Sequence, residues 1–433
     1  MQFSDLKFTF IVEKLQCRHL DLRRDLLKRL ENYKFYNIFG QMKKIFLLPI
    51  FFIILALSAR SQNVTSLPDS IYSGEQGKMH VQGVAVDKAN GYVYFSFTDR
   101  LIKMDLSGKL IGSVTGFVGH LGDLDFNAAD GKIYGSLEYK NDAIGKGIRK
   151  SLGVQNNNEN GFYIAIFDGS RIVRPDMSAE KEDLLRTVYI KEAVKDYQDS
   201  VQTANGKKPH RFACSGIDGV AFAPAIGSAD TNKKYLYVAY GVYGDTDRDD
   251  NDHQVLLKYE IANWDKYGQQ LSQDKLHHSG PEKPLDKYFV KTGSTRYGIQ
   301  NLAYDAYTGN FFAAVYHGAK TQFPNYDLFV IDAHQKPGKG QISSGNETIK
   351  VQTLSLLQAG PKDANTGISG WRFEWGATGL CPLGDGLFYI SHNKKSKDGQ
   401  EQSTIYKYKW IGDAQSSFSK ANLELPLKNT SPQ

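Results

Sequence analysis

Six polar residues stand at equivalent places in a pattern that recurs along the 433-residue chain: Gln82, Asp123, Asp218, Gln300 with Asn301, and Thr378. Each lies at the start of a short apolar run. A second polar set follows one run later, with Thr98, Glu138, Tyr316, His317, His392 and Asn393. Carboxylates and amide oxygens brought to one axis suit a hard cation such as Ca2+, which takes about 6–8 oxygen ligands. Asp123, Glu138 and Asp218 are the candidate ligands. Asp123, Asp218, Glu138, His317 and His392 are also the candidate general bases. The same side chains could instead cap strand ends or hold water, and the sequence leaves both open.

Two other groups could carry chemistry. In Gly244-Asp245-Thr246-Asp247-Arg248-Asp249-Asp250, residues Asp245, Asp247 and Asp249 have the one-three-five spacing of a calcium loop. An EF-hand would then place Gly at its sixth position and Glu at its twelfth, where this chain has Asp250 and Leu256. The match is partial, and a solvated acidic loop is the alternative. Arg211, Arg296 and Arg372 each precede a first apolar run, with Trp371 and Trp375 beside the last. Guanidinium groups near aromatic faces suit an anionic or sugar-like ligand. They could equally form rim ion pairs over packed tryptophans.

The elements that position these residues follow from an internal repeat. Its first strand is short and apolar, a Gly-containing turn follows, and the second strand carries an aromatic with a small residue two places later. Tyr94, Tyr134, Tyr237, Phe312 and Tyr389 share the aromatic position. Ser96, Ser136, Ala239, Ala314 and Ser391 share the small one. Period-two alternation puts both columns on one face. Third strands are expected at Leu101–Leu106, Phe162–Asp168, Val255–Ile261, Asp327–Asp332 and Thr404–Trp410. Weaker fourth strands are expected at Lys109–Val114, Thr187–Ala193, Lys287–Lys291, Thr348–Leu354 and Ala421–Leu425. Radial repetition of four antiparallel strands predicts an all-β fold, a β-propeller of five blades. A sixth, degenerate blade in Met177–Arg211 or Trp264–Thr292 is the alternative. One short inserted helix is expected within Ala179–Asp199. Loops between second and third strands, and several connections between blades, are long. They share one end of the channel, where binding residues concentrate on a rigid scaffold.

Charge and cysteine content narrow the partners. Met42-Lys43-Lys44, the apolar run Ile45–Ala59 and Ala59-Arg60-Ser61 read as a signal peptide cut near Gln62. The division expected is an upstream extension at 1–41, a signal peptide at 42–61 and the propeller at 62–433. Of the 53 Lys+Arg and 47 Asp+Glu, 11 and 5 respectively fall within residues 1–61, so the remainder is electrically neutral. A neutral domain lacks the basic footprint that nucleic acid requires. No Cys follows the apolar run, so no lipid anchor is expected. An exported monomer, periplasmic or extracellular and free of the membrane after cleavage, is the expectation. Cys214 and Cys381 could pair, but two structural thiols are preferred.

The Gly turn followed by the Tyr and Ser/Ala columns resembles the broad class of extracellular propellers that includes the NHL-repeat, SMP-30/gluconolactonase-like and strictosidine-synthase-like families. SMP-30-like hydrolases are similar in placing a divalent metal at the channel mouth. Their ligand set (Glu, two Asn, Asp) is not met here residue by residue. Three functions follow as expectations: a propeller binding a small polar, anionic or peptide-like molecule at the mouth; a calcium-dependent lactonase or phosphoester hydrolase; or a structural, surface-interaction module. No nucleophile elbow is present, since Ser215 precedes Gly216-Ile217-Asp218-Gly219.

Overall fold

The computed structural model describes residues 67–154 and 159–421. The expected upstream extension and signal peptide lie outside the described residues. Among the described residues no helix is long and apolar enough to cross a membrane.

The chain forms a five-bladed β-propeller. Blade 1 runs Val81–Asp87, Tyr92–Phe97, Arg100–Asp105 and Leu110–Thr115, with Met177–Ser178 added in parallel at its rim. Blade 2 runs His120–Asn127, Lys132–Tyr139, Gly161–Asp168 and Leu185–Tyr189. Blade 3 runs Cys214–Pro224, Lys234–Val242, His253–Tyr259 and Asp286–Lys291. Blade 4 has three strands, Thr295–Asp305, Asn310–His317 and Leu328–Ile331. Blade 5 runs Leu380–Gly384, Leu387–Lys395 and Glu401–Trp410, and the early strand Ser70–Glu75 closes it from outside.

Two fourth strands depart from expectation. Glu347–Leu354 does not complete blade 4. It pairs with Gly338–Ser344, and its end lies parallel to Tyr288–Val290 of blade 3. At its outer edge blade 4 keeps isolated bonds: Asp332 N to Ser355 O (2.9 Å), Leu357 N to Val330 O (2.8 Å), and the mutual pair Leu328 N to Trp371 O (3.2 Å) and Trp371 N to Leu328 O (2.9 Å). In blade 5, Ser70–Glu75 takes the place assigned to Ala421–Leu425, of which residues 422–425 lie outside the described residues. Of the two segments weighed as a sixth blade, one holds the rim strand Met177–Ser178, the fourth strand of blade 2, a helix and a hairpin, and the other a loop and the fourth strand of blade 3. The inserted helix is Lys191–Gln198, and a second, Ala143–Leu152, lies in the long loop of blade 2. Asp142 caps the latter by accepting Gly145 N (2.9 Å). Cys214 and Cys381 are free and buried.

The repeat columns account for the packing. All five aromatic and all five small residues are buried. The aromatics face Ala85, Asp125, Ala221, Ala303 and Cys381 across the first strands. Two residues earlier in each first strand stand Gly83, Asp123, Gly219, Asn301 and Gly379. This column surrounds the axis. Its glycines are required by contact: a Cβ on Gly83 would lie 2.8 Å from Asp123 Cα, and one on Gly219 would lie 2.8 Å from Leu302 Cβ.

The space so left is filled by two polar side chains. Asp123 Oδ2 accepts Val220 N (3.0 Å) and Leu302 N (2.9 Å), and its Oδ1 accepts Leu124 N (2.9 Å). Asn301 Nδ2 donates to Gln82 O (2.8 Å) and Ala377 O (3.1 Å), while its Oδ1 accepts Leu380 N (3.1 Å). Together they tie all five blades. Ser96 Oγ to Gly122 O (2.5 Å) and Ser136 Oγ to Asp218 O (2.7 Å) repeat the motif between neighbouring blades. Replacing Asp123 by Ala strands buried N–H groups in two other blades. Each such group costs about 1–3 kcal/mol. Urea unfolding of Asp123→Ala should therefore show a loss of about 2–4 kcal/mol, and an unchanged midpoint would refute the bracing role.

Candidate functional site

At the end of the channel that carries the long loops, the column one residue before the axial one holds Gln82, Gly122, Asp218, Gln300 and Thr378. These side chains open toward the mouth, and blade 2 faces them with His120, Glu138 and Lys140. His120, Glu138 and Asp218 form the one group of three metal-ligating residues among the described residues, with ligand atoms within 4.8 Å of one another. His120 Nδ1 lies 3.8 Å from Glu138 Oε2 and 4.0 Å from Asp218 Oδ1. Lys140 Nζ lies 2.6 Å from Glu138 Oε2, an ion pair outside good hydrogen-bond alignment, and donates to Ser215 O (2.9 Å). Gln300 Nε2 donates to Asp218 Oδ2 (3.0 Å). Glu138 Oε1 and His120 Nδ1 are buried with no hydrogen-bond partner. Glu138 Oε1 lies over Gly216, where a Cβ would come within 1.9 Å of it. Glycine at φ +129° is what leaves the carboxylate room.

Burial dominates the electrostatics. It raises the Glu138 carboxyl to about 8 against the opposing pull of Lys140. It raises Asp218 to about 6, again opposed by Lys140 and by the Gln300 hydrogen bond. Burial, then Lys140 and His80, lower the His120 imidazole to about 3, so it is neutral at physiological pH. Burial alone would lower the Lys140 ammonium, but Glu138, Asp142 and Asp218 outweigh it and hold the proton. A neutral imidazole, two carboxyls and one ammonium thus share a nearly dry space.

The other predicted residues are distributed elsewhere. Asp123 and Asn301 are spent on the axis, and Asp123 does not join the trio. Gln82 Nε2 sits 3.0 Å from both His80 Nε2 and Thr98 Oγ1. Thr378 Oγ1 donates to Asn393 Oδ1 (3.2 Å). His317 pairs with Asp327 (3.0 Å) and faces Arg372. His392 stacks on Trp375 at 3.8 Å and meets the Tyr408 hydroxyl at 2.9 Å. Trp371 is 2% exposed and donates its Nε1–H to Asp413 O (2.8 Å), so it has no face left for a ligand. Arg211 lies over Phe212, near Asp199 (3.9 Å), and Arg296 lies over Tyr297.

Asp245, Asp247 and Asp249 do not gather into a metal-ligating group. Cations of the chain itself organise their loop. Arg248 is buried against Asp250 (2.5 Å) and donates to Pro209 O (2.6 Å) and His210 O (2.8 Å). Lys320 Nζ donates to Asn251 Oδ1 (2.6 Å) and to Arg248 O. Asp245 pairs with Lys208 (3.2 Å), while Asp247 and Asp249 are exposed.

Sequence reasoning missed Lys140. Its signal was the i, i+2 relation to Glu138, which puts both at the mouth end of one strand face. A concavity of about 550 Å3 on the outer side of blade 2 is no rival to the mouth. Its charged walls, Arg171, Asp183 and Arg186, already pair with one another at 3.1 and 2.6 Å.

No family model matches the chain, and no curated protein matches it. Among solved structures it is similar to the holo PQQ domain of pyranose dehydrogenase from Coprinopsis cinerea, at 13% identity and TM-score 0.32, over 76% of this chain and 83% of that one. It is also similar to the calcium-binding protein regucalcin from Agrobacterium tumefaciens, at 11% identity and TM-score 0.30, over 80% and 97%. Likenesses of this degree carry no argument about ligand or reaction.

The raised Glu138 carboxyl gives a pH dependence of defined sign. Its folded pKa lies above the ordinary carboxylate value, so its contribution is full at low pH and is lost as pH rises toward about 8. Asp218 acts in the same sense below about 6, where His120, lowered by burial, acts in the opposite one. Asp123, which burial also raises, acts in the same sense as Glu138. Between pH 6.5 and 8 urea midpoints should therefore fall in the native chain, and Glu138→Gln should lessen that slope. An equal slope in the variant would leave Glu138 without a part in it.

Proposed function

We propose that this chain is an exported binding propeller, periplasmic or extracellular, that takes a small polar ligand at the channel mouth among His120, Glu138, Lys140, Asp218 and Gln300. One observation carries the reading: Glu138 Oε1 and His120 Nδ1 are buried polar atoms without a hydrogen-bond partner. Unmet buried polar atoms are costly, and a ligand that donates hydrogen bonds relieves them. The acceptor character favours hydroxyl, amide or ammonium groups over an anion at this point. An anionic group would instead find the rim arginine, Arg372. Export rests on the leader at residues 42–61 and the neutral charge of the rest.

The same unpartnered atoms favour a second reading, a divalent cation held by His120, Glu138 and Asp218. Two carboxylates and the Gln300 amide suit Ca2+, the ion expected from the sequence. The imidazole suits a softer ion such as Zn2+ or Mn2+. The Lys140 ammonium beside Glu138 competes with either. A cation there would supply Lewis acidity to a carbonyl or phosphoryl oxygen, and the chain would be a hydrolase.

Thermal-shift and calorimetric titration with polyols, amides, amines and the ions Ca2+, Mn2+ and Zn2+ tests both. Binding of a donor-bearing organic ligand that falls at least tenfold in Glu138→Gln supports the first reading, and binding indifferent to that change removes it. Elemental analysis finding one equivalent of metal, lost in Asp218→Asn and on chelation, supports the second. No bound metal, with stability unmoved by chelator and by added ions, removes it.

A further inference from the structure

We infer that the strand Gly338–Ser344, the bare outer edge of the blade 3 sheet, binds an extended segment of another protein in which acidic and apolar residues alternate. The segment joins the sheet as one more strand. This site lies on the outside of the propeller and goes beyond the reading of the mouth.

Sheet edges invite pairing, and proteins cover or break them. This chain does so at its other blades. Met177–Ser178 lies along blade 1. Blade 2 is bonded over through Thr187 to Gln269 and through Tyr189 to Ser279. Blade 4 is met by Ser355, Leu357 and Trp371. Ser70–Glu75 covers blade 5, and its own register breaks between Tyr72 and Glu75. Such a break blunts an edge. Gly338–Ser344 has neither defence. It keeps register with Glu347–Thr353 over all seven residues and ends the six-stranded sheet.

The free main-chain groups can be named. Gly345 and Asn346 close the hairpin, with Gly345 at φ +60°. In a two-residue hairpin the flanking pair, here Ser344 and Glu347, exchanges both hydrogen bonds. Counting back by twos, Ile342, Gly340 and Gly338 bond inward, while Lys339, Gln341 and Ser343 turn N–H and C=O outward. None of these outward groups has a partner among the described residues. Both ends of the hairpin are held. Gly345 N donates to Asp250 Oδ2 (2.9 Å) and Asn346 N to Gln202 O (2.6 Å). Gln352–Leu354 lies along Tyr288–Val290. A fixed edge has little freedom to lose on pairing.

The two faces of the hairpin select the segment. Lys339, Gln341, Lys350 and Gln352 share the exposed face, and neither lysine has an ion pair among the described residues. On the opposite face Ile342 is buried, and Ile349 and Val351 pack against the same core. Gly340 presents no side chain beside the bare edge. An open concavity of about 720 Å3 lies against Lys339, Gly340, Lys350 and Val351. An added strand continues both faces, with acids beside the lysines and apolar side chains beside Gly340. A second copy of this chain would instead bring two unpaired lysines from each protomer onto one face, which like charge opposes.

Fluorescence anisotropy of the full chain with a labelled peptide, Thr-Glu-Val-Glu-Val-Glu-Thr, tests the inference. Saturable binding is expected. It should be at least tenfold weaker when Lys replaces each Glu of the peptide, or when Pro replaces the central Glu. Gln341→Pro removes one outward N–H and no bond of the hairpin, and should weaken the acidic peptide at least tenfold. Lys339→Glu, an exposed substitution, should weaken the acidic peptide and strengthen the Lys peptide. If the Pro peptide binds as well as its parent, or Gln341→Pro changes nothing, strand addition is overturned. If the Lys peptide binds as well as the acidic one, the acidic class is overturned. Absence of binding overturns the inference, as does a dimer in sedimentation that Gln341→Pro dissolves, since the edge then serves a second copy.

Discussion

Five strands converging on one axis leave a space too narrow for solvent and too wide to be empty. The rest of the molecule depends on how that space is filled. Three of the five axial positions are glycines, which bring the backbones close, and the other two carry Asp123 and Asn301. A carboxylate and an amide can bond to several strands at once, which apolar side chains could not do. The cost is a buried carboxyl that burial holds well above its usual range, despite three N–H groups that favour its charge. These two groups close the axis beneath the mouth and form its floor. The trio of His120, Glu138 and Asp218 is placed by that floor, since Asp218 is bonded through its carbonyl to Ser136 and flanks the strand that Asp123 holds.

Much of this architecture was legible in the chain. An aromatic followed two residues later by Ser or Ala, five times over, fixes the face of each second strand and hence the blade. Loop lengths set one end of the channel apart as the candidate working end. What was not legible was the assignment of strands to sheets. Thr348–Leu354 alternates as a strand should, and nothing in its residues says that blade 3 rather than blade 4 will hold it. Backbone hydrogen bonds are the same in either sheet. The same limit hid the role of Ser70–Glu75.

The membership of the candidate site differs from the sequence expectation. Asp123 and Asp218 look equivalent, each an acid near the start of a first strand. Aligned on the facing aromatic, they differ by one residue, and in a strand one residue is the difference between two faces. Asp218 therefore opens to the mouth and Asp123 turns to the axis. The calcium-like spacing at Asp245, Asp247 and Asp249 was misleading for a different reason. Spacing describes ligands, but not the cations already present, and Arg248 and Lys320 arrive from inside the loop and from blade 4 to bind its acceptors. Trp371 and Arg372 are neighbours with opposite fates, one inside and one out, as alternation along an extended segment requires.

The closing strand has a temporal meaning. Ser70 faces Tyr406 and Ile71 faces Ile405, so the first strand of the described chain completes the last blade. Blades 1 to 4 can assemble from segments that are close in sequence, but blade 5 joins the two ends of the propeller. Contacts of such separation form late, because the loop they close is the longest and loses the most chain entropy. A chain emerging from its N-terminus must hold Ser70–Glu75 unpaired until nearly every other strand has been made. Until it docks, the stretch Gln402–Tyr406 of the third strand of blade 5 is an open edge, while Phe418–Lys420 covers Tyr408–Trp410. The ring therefore has a single seam, and the moment of its closure marks the end of folding.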